Sequence, residues 1–444
     1  MNYKETLEFL ASRGNEVQVL HLGLHRTAAV MQALGNPQNR YPTIHIAGTN
    51  GKGSVAAMIE SILRCAGLSP GLYTSPHLVR VEERLRVDGR QISASAFASV
   101  ATRVRNAEAA LLEQKVLDRL LTTFEFLTCC AFLHFFHRKV DIAVIEVGLG
   151  GKLDATNVIQ PEVSVVTGVA LDHQYLLGDT VEKIAVEKAG IIKPGVPAVS
   201  GCTDRAAARV IRKQAREVHA PLLETSEWCT AVVSRRNRGL CTFSLRTPLR
   251  EYRNVRLSLA GEHQIHNATL AVVAIEALKS YIVSPADIRR GLATTIWPGR
   301  LDEYRSRRRT LLDGAHNPDG ARLLAEFLAA GRQKEVHLVF GAVRDKDLAG
   351  IGKSIFPCAA SIHLTPLQNS RSAAPEEIAA MHSGYRSRMR LHSNAREALH
   401  AAWDECPASG LVVVTGSLYL VGDVLPVVTK HGAGKGKRLT TTRC

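Results

Sequence analysis

Nowhere among the nine cysteines of this 444-residue chain is there a Cys-x-x-Cys pair, which removes the commonest zinc and dithiol redox sites. The thiols are scattered, with only Cys129 and Cys130 adjacent, as expected of free cysteines in a reducing compartment. No apolar run approaches the roughly 20 residues that span a bilayer. The first residues, Met1-Asn-Tyr-Lys-Glu-Thr-Leu-Glu8, lack the basic-then-apolar order of a secretory signal, so a cytoplasmic protein without a membrane partner is expected. Aromatic residues make up only 5% of the chain, and they do not interleave with the basic runs as a base-stacking surface requires. The formal charge of +15 is large, but part of it is local, in Arg305-Ser-Arg-Arg-Arg309 and in the acid-free stretch from Lys430 onward. Such a surface suits small polyanions, and no nucleic-acid partner is expected.

What is present is an ordinary globular balance, 45% hydrophobic and 22% charged, on a chain long enough for two or three domains, each with its own core. The most informative stretch is His45-Ile-Ala-Gly-Thr-Asn-Gly-Lys-Gly-Ser54. Residues 43–47 read as a short buried strand, and after Ser54 the apolar residues recur at helical spacing, so a glycine-rich turn links strand to helix. Such a turn binds a phosphate chain: glycines let the backbone approach oxygens, the first helical turn offers free N–H groups, and Lys52 adds a point charge. Asn50, Gly51, Lys52, Gly53 and Ser54 are therefore candidate nucleotide contacts, and Ser54 a candidate magnesium ligand. The spacing departs from the usual P-loop: only Thr49 and Asn50 separate Gly48 from Gly51, and Gly53 stands between Lys52 and Ser54.

Helical patterns cover residues 3–12 and 26–34, and Gly35-Asn-Pro37 ends the second. Residues 71–78 read as a strand opening into a loop that carries Ser75. Residues 93–138 are predicted to be mostly helical. The apolar run 140–147 reads as a strand buried on both faces, with Glu146 near its carboxyl end, where a nucleotide–metal site needs an acid. A further strand at 163–167 leads into Leu171-Asp-His173 and brings His173 to the same edge. A helix after Asp179 carries Lys188, residues 190–260 look β-rich, and helices follow at 259–278 and from about 285. Trp297-Pro-Gly-Arg300 marks a domain boundary. Beyond it, strands at 336–341, 361–365 and 411–415 alternate with helices, which implies a largely parallel second sheet. The expected fold is α/β: an N-terminal P-loop ATPase-like domain (1–297) with a mostly parallel sheet plus a smaller β-rich part, and a C-terminal Rossmann-like α/β domain (298–428). The basic tail 429–444 is expected to be disordered.

Nine motifs then occur in one order: Gly48-Thr-Asn-Gly-Lys-Gly-Ser54, Thr74-Ser-Pro-His-Leu78, Glu146-Val-Gly-Leu-Gly-Gly151, Leu171-Asp-His173, Glu187-Lys-Ala-Gly-Ile191, Gly261-Glu-His-Gln-Ile-His-Asn-Ala268, Trp297-Pro-Gly-Arg300, Asp313-Gly-Ala-His-Asn-Pro318 and Gly416-Ser-Leu-Tyr419. From about residue 3 to 425 the chain resembles the folylpolyglutamate synthases and bifunctional bacterial dihydrofolate synthases of the Mur ligase superfamily. The resemblance implies an ATP-dependent ligase of folate biosynthesis that adds glutamate to a folate-type carboxylate, with ATP, glutamate and dihydropteroate or a reduced folate as substrates. It implies magnesium, two ions being expected, held by Ser75, Glu146 and His173, and a monomer is expected. Lys52, His173 and a carbamylated Lys188 are implied as catalytic. Asn267, Arg300, Asp313 and His316 are implied as nucleotide contacts. For dihydropteroate, the positions implied are Gly23, Leu24, His25 and Arg26, then Thr122, Thr123, Phe124 and Glu125, then Leu153, Asp154 and Ala155. His25 stands where the family often has Glu, and Thr123 where an aromatic residue is common. Two other readings stay open from the residues: another Mur-type amino-acid ligase, which would share the ATP machinery, and a P-loop protein that remodels nucleic acid.

Overall fold

The computed structural model describes residues 1–14, 23–237, 239–331 and 335–430. The expectation of a disordered tail at 429–444 falls largely outside these residues. In chain order the strands are β1 (Thr43–Ala47), β2 (Pro70–Tyr73), β3 (Leu85–Val87), β4 (Arg90–Gln91), β5 (Ile142–Glu146), β6 (Val163–Val166), β7 (Ala198–Ser200) and β8 (Leu222–Glu224). They form one sheet in the order β4-β3-β2-β5-β1-β6-β7-β8. From β2 to β8 every pairing is parallel, and β3 and β4 add an antiparallel edge. The central strands β1 and β5 are buried along their whole length, the pattern of a sheet covered on both faces. On one face Ile44, Ile46, Val144 and Val165 pack with Met58, Ile59 and Ile62 of helix Lys52–Cys65 and with Leu270 of helix His263–Glu276. On the other, Tyr73, Ala143 and Ile145 pack with Phe126, Phe132 and Phe135 of helix Thr123–His137.

Strands β9 (Thr230–Asn237), β10 (Leu240–Arg246) and β11 (Glu251–Arg256) form a small antiparallel sheet whose Phe243, Leu245, Tyr252 and Val255 join the first core. The β-rich expectation for residues 190–260 is corrected by helix Arg205–Glu217, which lies inside that range. Its first turn is capped by Asp204, whose Oδ1 accepts from the N–H groups of Ala206 and Ala207. Its buried face, Ala207, Ala208, Ile211 and Ala215, recurs at helical spacing opposite Arg205, Arg209, Arg212 and Arg216, so its amphipathic pattern was readable in the sequence.

After Trp297 come β12 (Asp302–Arg305), β13 (Arg309–Leu312), β14 (Val336–Phe340), β15 (Ser361–Leu364), β16 (Met389–Leu391) and β17 (Leu411–Thr415), in the order β12-β13-β17-β14-β15-β16. The β12–β13 pair is antiparallel and the remaining pairings are parallel. Helices cover both faces, so the fold is α/β throughout, with mostly parallel sheets. Among the described residues no helix is long and apolar enough to cross a membrane.

Candidate active site

Ligands of parallel α/β sheets collect beyond the carboxyl ends of the strands. Here the carboxyl ends of β1, β5 and β6 face the loops that follow β13, β14 and β17, and a cavity of about 730 Å³ lies between them. Gly51 starts helix Lys52–Cys65 with a left-handed backbone, φ +86°, and a Cβ there would stand 2.5 Å from Asn267 Oδ1. Glycine is therefore required, and the bare backbone N–H groups of the turn stay accessible. Gly53, the residue that breaks the usual spacing, has a packing reason of its own: a Cβ would come within 2.8 Å of the Trp297 ring. The Lys52 ammonium folds back onto its loop, donating to the Gly48 and Thr49 carbonyls at 3.1 and 3.2 Å.

Glu146 closes β5 almost fully buried, and its Oε2 accepts from Ser75 N–H at 3.2 Å. Burial pushes its carboxyl up to about 7, against the opposing pull of the Lys52 ammonium. Lys188 is 4% exposed and donates to the Gly48 carbonyl at 3.0 Å. Burial, and then the charge of Lys52, lower its ammonium to about 7. Ser54 is buried, with the amide of Gln264 at 3.5 Å from its hydroxyl. A hydroxyl pair and a buried carboxylate form an all-oxygen donor set that fits magnesium, and a cation would hold Glu146 ionised.

His173 sits in a second group. Lys346 Nζ lies 3.0 Å from its Nε2 and 2.5 Å from Asp172 Oδ1, while the buried Nδ1 of His173 has no hydrogen-bond partner among the described residues. Burial, and then Lys346, hold His173 at about 3, a neutral imidazole. Burial alone would raise the Asp172 carboxyl, but Lys346, through its charge and its hydrogen bond, together with His173 and His316 outweighs it and keeps it well below the usual range. His316 joins from the second sheet, with Nδ1 2.8 Å from the Gly314 carbonyl, and burial lowers it to about 4. Asn50 spans the same gap, donating to Asp319 Oδ2 at 2.9 Å and accepting from Asn317 at 3.0 Å. Arg300 is drawn toward Asp313 and Glu146, and Asp313 fixes the loop by accepting from the N–H groups of Leu301 and Ala315. Asn267 is held by Gln264 Oε1 at 2.9 Å.

All the candidate nucleotide, metal and catalytic residues line this cavity. The pterin candidates divide. Gly23, Thr122, Phe124, Glu125, Leu153, Asp154 and Ala155 line it; Leu24, His25, Arg26 and Thr123 do not. His25 is exposed opposite Asp118 at 3.9 Å, and Thr123 is an exposed contact to the Gly14 carbonyl. Arg26 is buried against Glu125 at 2.9 Å, whose other oxygen caps its helix through Thr122 N–H at 2.7 Å. Asp154 is equally committed to the chain, its two oxygens accepting from Gly148, Leu149 and Thr156. Sequence reasoning missed Lys346 and Arg371, which line the cavity. Neither carries a signal in the sequence: Lys346 lies six residues beyond β14, within Arg344-Asp-Lys-Asp347, and reads as a solvated charge.

Residues 46–275 match the Mur ligase middle domain, and residues 299–418 match the glutamate ligase domain of the Mur ligases. The folylpolyglutamate synthase of Lacticaseibacillus casei is 36% identical over 432 residues, 96% of this chain and 98% of that protein. The dihydrofolate synthase/folylpolyglutamate synthase of Bacillus subtilis is 35% identical, covering 90% of this chain and 94% of that protein. Among solved structures, E. coli FolC in complex with DHPP and ADP superposes with TM-score 0.87 at 31% identity, covering 97% of this chain and 98% of that chain. The Mycobacterium tuberculosis folylpolyglutamate synthase complexed with ADP gives TM-score 0.88 at 31% identity, covering 98% and 99%. On these matches and on the architecture of its cavity, the chain belongs to the Mur ligase family, in its folylpolyglutamate synthase and dihydrofolate synthase branch.

Proposed function

We propose that this cavity uses ATP to join the carboxylate of a reduced folate, and also that of dihydropteroate, to the amine of L-glutamate. The observation that carries the reading is the meeting of a phosphate-binding turn and a buried carboxylate on one sheet with Arg300, His316 and Lys346 from the other. Relatives named for both activities, and neighbours holding ADP and DHPP, support it. A carboxylate is a poor electrophile. One of its oxygens attacks the γ-phosphorus and the bond to the bridging oxygen breaks, releasing ADP and leaving an acyl phosphate. The neutral amine of glutamate attacks the acyl carbon, loses a proton and expels phosphate, which leaves with the carboxylate oxygen. The N–H groups of residues 51–54 and the Lys52 ammonium hold the phosphates, and Lys52 and Lys346 stabilise the charge that develops on them. Asn267, Arg300, Asp313 and His316 position the nucleotide between the sheets. Magnesium, when bound, would neutralise charge on the phosphate oxygens; with two ions expected, we assign the oxygen donors Ser75 and Glu146 to one and His173, in the second group, to the other.

We assign Lys188 as a carbamate. Its neutral amine attacks carbon dioxide, an N–C bond forms and one proton leaves, so a cation becomes a carboxylate-like anion. One N–H remains to donate to the Gly48 carbonyl, the contact Lys188 makes already. The pterin is assigned to the end of the cavity lined by Gly23, Thr122, Phe124, Glu125, Leu153, Asp154 and Ala155. Arg26 acts there by holding Glu125. We place the domain boundary at 297/298, so that closure of residues 298–428 over 1–297 excludes water from the acyl phosphate. We take a monomer as the working unit, and the free cysteines among the described residues support a reducing, cytoplasmic setting. Incubation with ATP, magnesium and glutamate, offering dihydropteroate or tetrahydrofolate, is expected to add one glutamyl mass to each. Transfer to a cell-wall precursor and to neither folate would place the chain elsewhere among the Mur ligases.

A further inference from the structure

A group of imidazoles lies away from the ligation cavity, on the second sheet. His337 stands near the amino end of β14, His363 on β15, and Glu405 ends helix Ala395–Glu405 above them. The register pairs His337 with Ser361, and the Ser361 hydroxyl lies 2.8 Å from His337 Nδ1 and 3.0 Å from His363 Nε2. His363 Nε2 is also 3.1 Å from Glu405 Oε2. One donor atom from each of His337, His363 and Glu405 lies within 4.8 Å of the other two. None of the three lines the ligation cavity.

The two histidines are 3% and 1% exposed, and burying two imidazoles on one face of a sheet is unfavourable unless their ring nitrogens are used. With Nδ1 of His337 taken by Ser361, its buried Nε2 has no hydrogen-bond partner among the described residues and lies 3.6 Å from Glu335 Oε2. His363 Nδ1 is 3.0 Å from His392 Nε2, with the two rings stacked at 5.2 Å. That contact fixes the ring from its far side, the way a partner orients a metal-binding imidazole. The other carboxylate oxygen of Glu405 lies 3.5 Å from Arg390 Nη2, which orients the acid.

We propose that His337, His363 and Glu405 bind a divalent transition ion of the zinc, cobalt and nickel class, bracing the end of helix Ala395–Glu405 against β14 and β15. Two imidazoles and one carboxylate select such ions over magnesium, which prefers oxygen alone. Bonds of about 2.1 Å in tetrahedral geometry put donor atoms about 3.4 Å apart. The His363–Glu405 pair is already at 3.1 Å, and no pair, all lying within 4.8 Å, needs to close by more than about 1.4 Å, within reach of side-chain torsions. Three protein donors leave a fourth position for water.

The test uses the full chain, stripped with chelator and then saturated with magnesium and ADP so that the ligation cavity is occupied. It is titrated with cobalt, read by visible absorbance, and with zinc, read by competition with a chromophoric chelator. One ion per chain is expected, bound at least about tenfold more weakly by Glu405→Gln and by His363→Asn. Zinc is expected to raise the melting temperature of the wild type and not of Glu405→Gln. Glu405 is partly exposed and outside the ligation cavity, so that variant should keep wild-type ligation, which reports an intact fold. No ion retained at micromolar free metal, or equal retention by wild type and both variants, would overturn the proposal.

Discussion

Replacing Lys188 tests the least ordinary feature of the site. An amine ordinarily near 10.5 is held at about 7, so at pH 7.5 its neutral fraction rises from about 0.1% to about three quarters, a gain of roughly 700-fold in the form that reacts with carbon dioxide. Below pH 7 the amine protonates and the modification should be lost, so ligation should fall as the pH is lowered and recover with added bicarbonate. Lys188→Ala removes the anion and leaves a buried space beside Gly48, and a loss in kcat on the order of 10²–10³ is expected if the group stabilises charge in the transition state. Acetate or formate, small enough for that space, should restore part of the activity. Lys188→Arg should not be rescued, because it keeps a positive charge and fills the space. The assay is glutamate addition followed by mass, with 13C NMR of wild type labelled by 13C-bicarbonate. A Lys188→Ala enzyme within about threefold of wild type, or a labelled wild type without a protein-bound carbamate signal, would refute the reasoning.

Lys52→Ala should lose about 10²–10³ in kcat with an unchanged melting temperature, since among the described residues the ammonium hydrogen-bonds to the carbonyls of its own loop alone; near-normal turnover would remove it from the phosphate site. Arg26→Met should destabilise the fold by about 3–5 kcal/mol by stranding the buried Glu125, seen in urea melts, while the KM for ATP stays put. An unchanged urea midpoint would mean that the pair is not structural. His45, buried on β1 with Nε2 2.8 Å from Thr156, is held at about 3 by burial and by Lys193. The folded form refuses a proton that the unfolded chain accepts, so stability is full above about pH 6.5 and is lost as pH falls toward 3, by about 2 kcal/mol at pH 5. His45→Gln should remove that part of the slope in denaturant melts at pH 7 and 5; an equal slope would place the acid sensitivity elsewhere.

Much of the site is legible in the sequence because strand ends write themselves in it. The run ending at Ala47 breaks at Gly48, and the run ending at Glu146 breaks at Gly148, so both edges of the cavity are marked by a change from apolar to glycine. Lys346 is not legible: within Arg344-Asp-Lys-Asp347 it reads as a solvated charge, and only the approach of the two sheets turns it into a buried partner of Asp172. The pterin motifs mislead in the opposite direction. Gly23-Leu-His-Arg26 opens helix His25–Ala33, so only its first residue reaches the cavity, while Arg26 turns inward to Glu125. Helix Arg205–Glu217 is legible in its spacing, Ala207, Ala208, Ile211 and Ala215 on one face and Arg209, Arg212 and Arg216 on the other, but its many charges make it read as a polar turn; strands β3, β4 and β12 are not legible, because antiparallel edges of two to four residues carry too little pattern.

The central claim is that ATP activates the substrate carboxylate as an acyl phosphate within this cavity. Dihydropteroate or tetrahydrofolate labelled with 18O in the reacting carboxylate, turned over with ATP, magnesium and glutamate, reports on it directly. One 18O atom is expected in each inorganic phosphate released, matching the ADP formed. Phosphate free of 18O alongside glutamylated product would contradict it.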